Sequence, residues 1–366
     1  MKFLCLKENL EYALALAERF TGKNLTLPIL GNLLLEADDN CLSVTATNLE
    51  SAIKISVSGK SYKKGKATIP AKIISSLIQS IKEEKIDLEE KQGNIFIKTN
   101  SRDIRINGTS ADDFPILPKV KKTYSFSVEG FVLGRGMEKV LPAVSTSEFK
   151  AELTGVHFKA AGSKLYLVAT DTFRLAEKVL ELVKKNEGSS ISFILPQKVS
   201  QEVPRVFGGL EEEVDIALGD NQVIFETSKI KIISRLVDGN FPEYSSIIPK
   251  EFQLNAVANR REFTDAIKSS SIFASKLQEI TLKFKNKELE ITSLNQEVGE
   301  YKTVIPVVAA GKETVLGFKY RYLLDGVNAL DEEEMLVGLN AVDKPSLLKN
   351  KKDNTFLYVA MPIRLN

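Results

Sequence analysis

Apolar residues return every three or four positions in six stretches of the chain, and at alternate positions through much of the rest. The helical spacing runs through "ENLEYALALAERF" (8–20), "PAKIISSLIQSIKEE" (70–84), "GRGMEKVLPAVS" (134–145), "PQKVSQEVPRVFGG" (196–209), "RREFTDAIKSSS" (260–271) and "KYRYLLDGVNAL" (319–330). Between these stretches, alternating segments such as "GNIFIKT", "NQVIFET" and "NTFLYVAMPI", punctuated by Gly and Asn turns, predict antiparallel strands.

The pattern is written three times. "LSVTATNLESAIK" (42–54) resembles "LYLVATDTFRLAEK" (165–178), and "LEITSLNQEVGEYK" (289–302) follows at the same spacing. Thr47 and Thr170 stand 123 residues apart, and another 123 residues reach Ser293. One helical stretch precedes each copy and one follows it. The first two copies close on "DDFPILP" (112–118) and "GNFPEYSSIIP" (239–249). The fold class this predicts is α+β: three repeated domains of about 120 residues, each with two helices and antiparallel sheets. The expected domains are 1–121, 122–248 and 249–366.

The helices predict an apolar face and a basic one. Leu10, Leu14, Ala17 and Phe20 share one side of the first, with Arg19 and Lys23 opposite. Ser75, Ser76, Gln79 and Lys72 make a flat polar face on the second. On the third, Leu133, Met137, Val140 and Val144 lie opposite Arg135 and Lys139. On the fourth, Val199, Val203 and Val206 turn inward and Lys198, Gln201 and Arg205 outward. Arg261 and Lys268 stand off the Phe263–Ile267 face of the fifth, while the sixth, with Asp325, shows little of this. Pro142 and Pro204 interrupt two of the patterns. Equivalent helices that present small polar and basic residues suit phosphate contacts that do not read bases.

Composition narrows the partners. The 50 basic and 48 acidic residues nearly cancel, so any basic surface must be concentrated in places such as these helix faces. Cys5 and Cys41 are too few for a disulfide framework or a thiolate metal site. "MKFLCLKENL" carries no signal-peptide core, and no apolar run approaches the roughly 20 residues of a membrane helix. A cytoplasmic protein without membrane contact is expected.

Candidate chemistry is sparse. Thr170–Asp171–Thr172–Phe173–Arg174 sets a carboxylate, two hydroxyls and an arginine on one turn, and a hydrolase built on Asp171 and His157 is one reading. A triplicated turn argues against it, because the third copy has Leu294 in place of the acid; Asp and Asn close such turns by bonding their own backbone. His157, the one histidine, sits in an alternating segment without an acidic or cysteine neighbour. "SGKS" (58–61) lacks the first glycine of a phosphate loop, where Lys54 stands, and "LGRGME" lacks the third glycine of a dinucleotide fingerprint. The acidic run Asp331–Glu334 reads as a solvated helix end. No catalytic residue, metal or cofactor is expected.

"TLPILGNLLLEADDNCLSVTATNLE" (26–50), "DDFPILP", "LVATDTFRLAEK", "SRLVDGNFPEYSSIIPK" (234–250), "LLDGVNAL" (323–330) and "MPIRL" (361–365) together resemble the bacterial DNA polymerase III beta subunit family, the processivity sliding clamps. They span the chain in the family's order. The resemblance implies three similar domains, a head-to-tail homodimer closed into a six-domain ring, and duplex DNA passing through the hole without sequence preference. It also implies work with the replicative polymerase alpha subunit, the clamp loader, and other polymerases and repair proteins that dock through short peptide motifs. On that basis Arg19, Lys23, Lys72, Arg135, Lys139, Lys198, Arg205, Arg261 and Lys268 face DNA, and Ile104 and Ile106 meet Ile272 and Phe273 of a second copy. The client groove would take in Leu153, Thr170, Thr172, Phe173, Arg174, Leu175, Pro242, Ile247, Tyr322, Val359, Met361, Pro362, Ile363 and Arg364. Two or three buried apolar anchors at roughly 2 kcal/mol each, less ordering costs, imply about micromolar, exchangeable binding. Thr172–Phe173 stand where the family usually has Gly-His, Ser246 where a basic residue is common, and Asn366 extends the usual terminal leucine. A clamp-like peptide-binding scaffold that does not encircle DNA is the alternative.

Overall fold

One order of elements, β-α-β-β-β-β-α-β-β-β, recurs three times, with the later helix of the second repeat split in two, in a computed structural model of the chain, which describes residues 1–22, 26–99, 102–118, 120–147, 149–184 and 190–365. The first repeat runs β1 (Lys2–Leu6), α1 (Lys7–Glu18), β2 (Asn32–Asp38), β3 (Cys41–Thr47), β4 (Ser51–Lys63), β5 (Gly65–Pro70), α2 (Ala71–Ser80), β6 (Lys85–Lys91), β7 (Asn94–Lys98) and β8 (Asp103–Ile106). The second runs β9 (Tyr124–Glu129), α3 (Gly130–Val140), β10 (Gly155–Ala161), β11 (Lys164–Thr170), β12 (Arg174–Glu181), β13 (Ile191–Pro196), α4 (Gln197–Ser200), α5 (Val203–Phe207), β14 (Glu213–Leu218), β15 (Gln222–Glu226) and β16 (Ile230–Arg235). The third runs β17 (Leu254–Asn259), α6 (Arg260–Ser271), β18 (Glu279–Phe284), β19 (Glu288–Asn295), β20 (Gly299–Gly311), β21 (Thr314–Lys319), α7 (Tyr320–Asn328), β22 (Glu334–Leu339), β23 (Ser346–Asn350) and β24 (Phe356–Ala360).

The prolines act where the spacing places them. α3 stops at Val140, and Pro142 sits in a separate short turn, Leu141–Ala143. The fourth predicted helix is two, α4 and α5, because Pro204 has no N–H to donate and fits only in a first helical turn. α5 and α3 touch backbone to backbone: a Cβ on Gly134 would lie 2.4 Å from the Gly208 Cα. Asn259 caps α6 by accepting from the Arg261 and Glu262 N–H groups at 3.0 and 3.1 Å.

The chain folds as two compact units, Met1–Gly130 with Leu210–Leu236, and Phe131–Gly209 with Val237–Asn366. Pairings between repeats account for this division. β16 of the second repeat pairs antiparallel with β4 of the first, and β24 of the third with β12 of the second. The first unit's sheet runs β8-β7-β6-β1-β4-β16-β15-β14-β9, with β3, β2 and β5 attached beside β4. The second unit's runs β13-β10-β11-β12-β24-β23-β22-β17-β20-β19-β18-β21.

The helices bury the predicted faces. α1 packs on α2, β3 and β4 through Leu10, Ala13, Leu14 and Ala17, and α6 packs on α7 and on β17–β20 through Phe263, Ala266 and Ile267. Alternation on β1 buries Phe3 and Cys5, and burial pushes the Cys5 thiol up to about 12. Among the described residues no helix is long and apolar enough to cross a membrane.

The acidic run Asp331–Glu334 is largely solvated, as expected, but two of its carboxylates also bond other parts of the fold. Glu332 accepts from the Lys352 N–H at 3.0 Å and the Asp353 N–H at 2.8 Å, and Asp331 pairs with Lys139. Glu332 thereby ties the segment after α7 to the connection between β23 and β24, and Asp331 ties it to α3.

Candidate functional site

The turn between β11 and β12 is built by its own side chains. Thr170 Oγ1 donates to the Arg174 carbonyl at 2.7 Å and accepts from the Thr172 N–H at 3.2 Å. Asp171 Oδ1 accepts from the Phe173 and Arg174 N–H groups at 2.9 and 3.0 Å, and Oδ2 accepts from Arg174 Nε at 2.9 Å. Thr172 is held at φ 78°, a conformation that costs a non-glycine residue about 1–2 kcal/mol, which the five surrounding bonds offset. Asp171 is therefore a turn-closing acceptor, engaged at both oxygens.

The turn presents two side chains to the third repeat. Arg174 is nearly buried; its guanidinium pairs with Asp171 and with Asp325 of α7 and lies 4.4 Å from the Tyr322 ring. Burial opposes its charge, but Tyr358, Asp171 and Asp325 more than compensate, and the pKa is raised. Phe173 stands out at 56% exposure, with Lys319 Nζ 5.8 Å over its ring and 5.4 Å over Tyr322.

The C-terminal segment is clasped between this turn and β21. Met361 N–H donates to the Phe173 carbonyl at 2.8 Å, and Ile363 N–H to the Gly317 carbonyl at 2.8 Å. A Cβ at Gly317 would lie 2.7 Å from the Leu365 side chain and 3.0 Å from that of Ile363, so a larger residue there would push these terminal side chains aside. Beneath lies a buried cluster of Val168, Leu175, Tyr244, Leu347 and Val359, flanked by Phe241, Ile248 and Phe252.

The residues expected in the groove thus sort by depth. Leu153, Thr170, Leu175, Val359 and Pro362 are buried; Arg174, Tyr322, Met361 and Ile363 are half-buried; Thr172, Phe173, Pro242, Ile247 and Arg364 are exposed. A buried apolar floor with an exposed Phe173 and Ile247 and a fixed guanidinium has the make-up of a peptide-binding surface.

His157 is stacked on Phe241 of the segment between β16 and β17, with ring centroids 4.5 Å apart. Burial and the nearby Lys159 hold its pKa at about 4, so it is neutral at pH 7. Its Nδ1 is buried without a hydrogen-bond partner. His157 packs on an aromatic ring and Asp171 closes a turn, so the two do not form a catalytic pair.

The basic helix residues differ in exposure. Arg19, Lys72, Lys198, Arg261 and Lys268 are exposed. Arg135 is exposed beside Glu138 at 3.7 Å, and Arg205 bonds Glu202 at 2.8 Å. Asp265 shares the exposed face of α6 with Arg261 and Lys268, and Ile73 is 55% exposed next to Lys72 on α2, so these faces are more mixed than their spacing suggests. Lys139 corrects its predicted position. Its side chain is only 11% exposed, pairs with Asp331 and donates to the Ala329 carbonyl at 2.8 Å, because it folds back toward the end of α7. Lys23 lies outside the described residues.

The family models for the N-terminal, central and C-terminal domains of the DNA polymerase III beta subunit match residues 1–118, 127–243 and 245–364. The chain belongs to the DNA polymerase III beta subunit family. It is 29% identical over 391 residues to the beta sliding clamp of Synechocystis sp. and 27% identical over 379 residues to that of Bacillus subtilis, with the whole of each chain covered. The solved DNA polymerase III beta subunit of Thermotoga maritima matches at 26% identity and a TM-score of 0.93, and a Pseudomonas aeruginosa sliding clamp bound to griselimycin at 27% and 0.95, both over the full length of each chain.

The expected contact of Ile104 and Ile106 of a beta subunit with Ile272 and Phe273 of a second copy needs one correction. Ile106 is 5% exposed and already packed in its own unit, so its side chain has no free surface for a partner. Ile104 is half-exposed on the edge strand β8, Ile272 is 69% exposed, and Phe273 stacks on Tyr301 with centroids 5.7 Å apart. Lys319, Asp325, Tyr358 and Gly317 were missed as neighbours of the groove residues. Asp325 alone left a trace in the sequence, as an acid on the one helix without a basic face.

Proposed function

We propose that the chain is a DNA sliding clamp that works without chemistry of its own. Two copies, each with domains 1–121, 122–248 and 249–366, close head to tail around duplex DNA in the cytoplasm. Arg19, Lys72, Arg135, Lys198, Arg205, Arg261 and Lys268, with Lys23, contact phosphates through interchangeable charge–charge attraction. Because no base is read, the energy hardly changes as the DNA advances, and the ring slides. Ile104 and Ile272 carry the apolar part of the contact between copies. A clamp loader opens the ring.

The groove tethers the replicative polymerase alpha subunit and other clients. Apolar anchors of a short client motif settle over Leu175, Val359 and Pro362, between Phe173 and Ile247, and Arg174 orients the motif. Arg174 suits this role because Asp171, Asp325 and the Tyr322 face fix it in place before a client arrives, so little entropy is lost on binding. The match to all three domains of the family, in order and across the chain, is the observation that carries this reading.

Primer extension with the replicative polymerase, clamp loader and ATP tests it. Products lengthen several-fold when the chain is added, and Ile247→Ala with Met361→Ala returns them toward the unaided length. No lengthening, with a loader shown to work on another clamp, would remove the reading.

A further inference from the structure

The linkers that close the first two repeats cover the same kind of surface in opposite ways. In the second unit a cross-strand ladder runs His157, Val168, Glu177, Leu357, Lys349. The linker lies over it. Phe241 stacks on His157, and Tyr244 Oη donates to Glu177 Oε2 at 2.6 Å. In the first unit the equivalent ladder, 123 residues earlier on three of its strands, runs Leu34, Thr45, Lys54, Lys231, Glu226. The charge is inverted: Lys54 stands where the other ladder has Glu177, and Glu226 where it has Lys349.

The covering segment is also shorter. Both linkers begin Phe-Pro, at Phe114–Pro115 and Phe241–Pro242, and end Ile-Leu-Pro or Ile-Ile-Pro. The four residues Glu243–Ser246, Tyr244 among them, have no counterpart between Pro115 and Ile116. A hollow of about 750 Å³ takes their place, with Leu34, Phe114, Ile224 and Ile233 among its apolar lining. That size suits a short peptide or a drug-sized ligand.

The charges in the hollow are not balanced. Lys231 and Lys122 share one carboxylate, Glu226, at 3.0 and 2.8 Å, and Lys66 pairs with Asp112 at 2.5 Å. Lys54 has no ion pair or hydrogen bond from its side chain among the described residues, yet it is half-buried directly across the ladder from Lys231. Like charges placed opposite each other on one sheet face repel. Glu36 lines the hollow beside the Lys66–Asp112 pair, so the excess positive charge gathers at the end where Lys54, Lys122 and Lys231 meet.

We infer that this hollow is a second peptide-docking site, which takes from a partner protein a short segment with a carboxylate next to an aromatic side chain. The segment supplies in trans what residues 243–246 supply in cis in the second unit. Its ring packs between Leu34 and the exposed Ile116, and its carboxylate accepts from Lys54. A peptide fits better than a free anion because a stretch of peptide fills the corresponding place in the second unit.

The test uses the full chain and a fluorescein-labelled hexapeptide with adjacent Glu and Tyr residues, followed by fluorescence anisotropy at low salt. The expected result is saturable binding that weakens about fivefold when Gln replaces the peptide's Glu, and by a similar factor on Lys54→Met. Phe173→Ala, in the other groove, leaves it unchanged. A second variant, with Glu-Tyr-Ser-Ser inserted between Pro115 and Ile116, fills the hollow in cis and abolishes binding while the melting temperature holds or rises. No saturable binding, equal binding of the Gln peptide, or binding that survives both variants overturns the inference. Displacement by benzoate as effective as by unlabelled peptide also overturns it, because the site would then be one for a small anion.

Discussion

Asn48 and Asp171 hold two turns, 123 residues apart, with the same pair of bonds. Asn48 Oδ1 accepts from the Glu50 and Ser51 N–H groups at 3.0 and 2.8 Å; Asp171 Oδ1 accepts from Phe173 and Arg174 at 2.9 and 3.0 Å. Thr47 and Thr170 repeat each other as well, and Leu49 at φ 74° matches Thr172 at 78°. One acceptor oxygen is what the turn needs, and an amide provides it as well as a carboxylate. Asp171→Asn keeps both backbone bonds but loses the ion pair to the enclosed Arg174 guanidinium, so it should lower the melting temperature by less than removing the acceptor altogether. Asp171→Ala leaves two N–H groups without their acceptor, at about 1–3 kcal/mol, and melts several degrees lower. Thermal denaturation of the two variants side by side checks this.

Lys139 and Arg135, four residues apart on α3, should separate stability from DNA contact. Lys139→Met removes a nearly buried ammonium from Asp331 and the Ala329 carbonyl. It should cost about 1–2 kcal/mol while hardly changing the salt dependence of DNA binding. Arg135→Ala should do the reverse, reducing the slope of log affinity against log salt by about one without a stability loss. Urea denaturation and a salt titration of DNA binding read the two effects separately.

The repeats, the helix faces and the role of Asp171 were legible because each rests on local chemistry: a 3.6-residue period, a 2-residue period, or a side chain bonding a backbone two or three residues away. The two-part fourth helix was signalled by Pro204 for the same reason. Partners such as Lys139–Asp331, Arg174–Asp325 and Lys319–Phe173 are more than 140 residues apart in the chain. Helical spacing shows which side of α3 is apolar but not that Lys139 folds back across its edge. Ile104 and Ile106 share a strand face, and period alone cannot tell which of the two the sheet covers.

Stability should fall with acid through His157. Its pKa is about 4 in the folded chain, against about 6.5 when exposed. Above pH 6.5 neither state binds the proton, and the full stability is present. Between pH 6.5 and 4 the unfolded chain is protonated and the folded chain is not, so stability drops by up to about 3 kcal/mol, and this loss levels off below pH 4. His157→Leu, which restores the residue found at the equivalent Leu34, should flatten that part of the curve. Urea midpoints measured from pH 4 to 7.5 test it; parallel curves for the two proteins would count against the buried neutral imidazole.

Ile106 and Ile272 should behave as core and surface. Ile106→Ala should destabilise by about 2–5 kcal/mol, as a buried truncation does. Ile272→Ala should leave the melt at low protein concentration unchanged and weaken self-association, as read by sedimentation velocity over a dilution series.

The central claim is that the protein holds DNA by enclosing it. The direct measurement loads the chain on nicked circular DNA with the clamp loader and ATP, washes in high salt, and then cuts the circle once. An enclosing ring stays on the circles through the wash and leaves when ends appear. Protein that washes off intact circles in salt, or remains on the DNA after it is cut, contradicts the account.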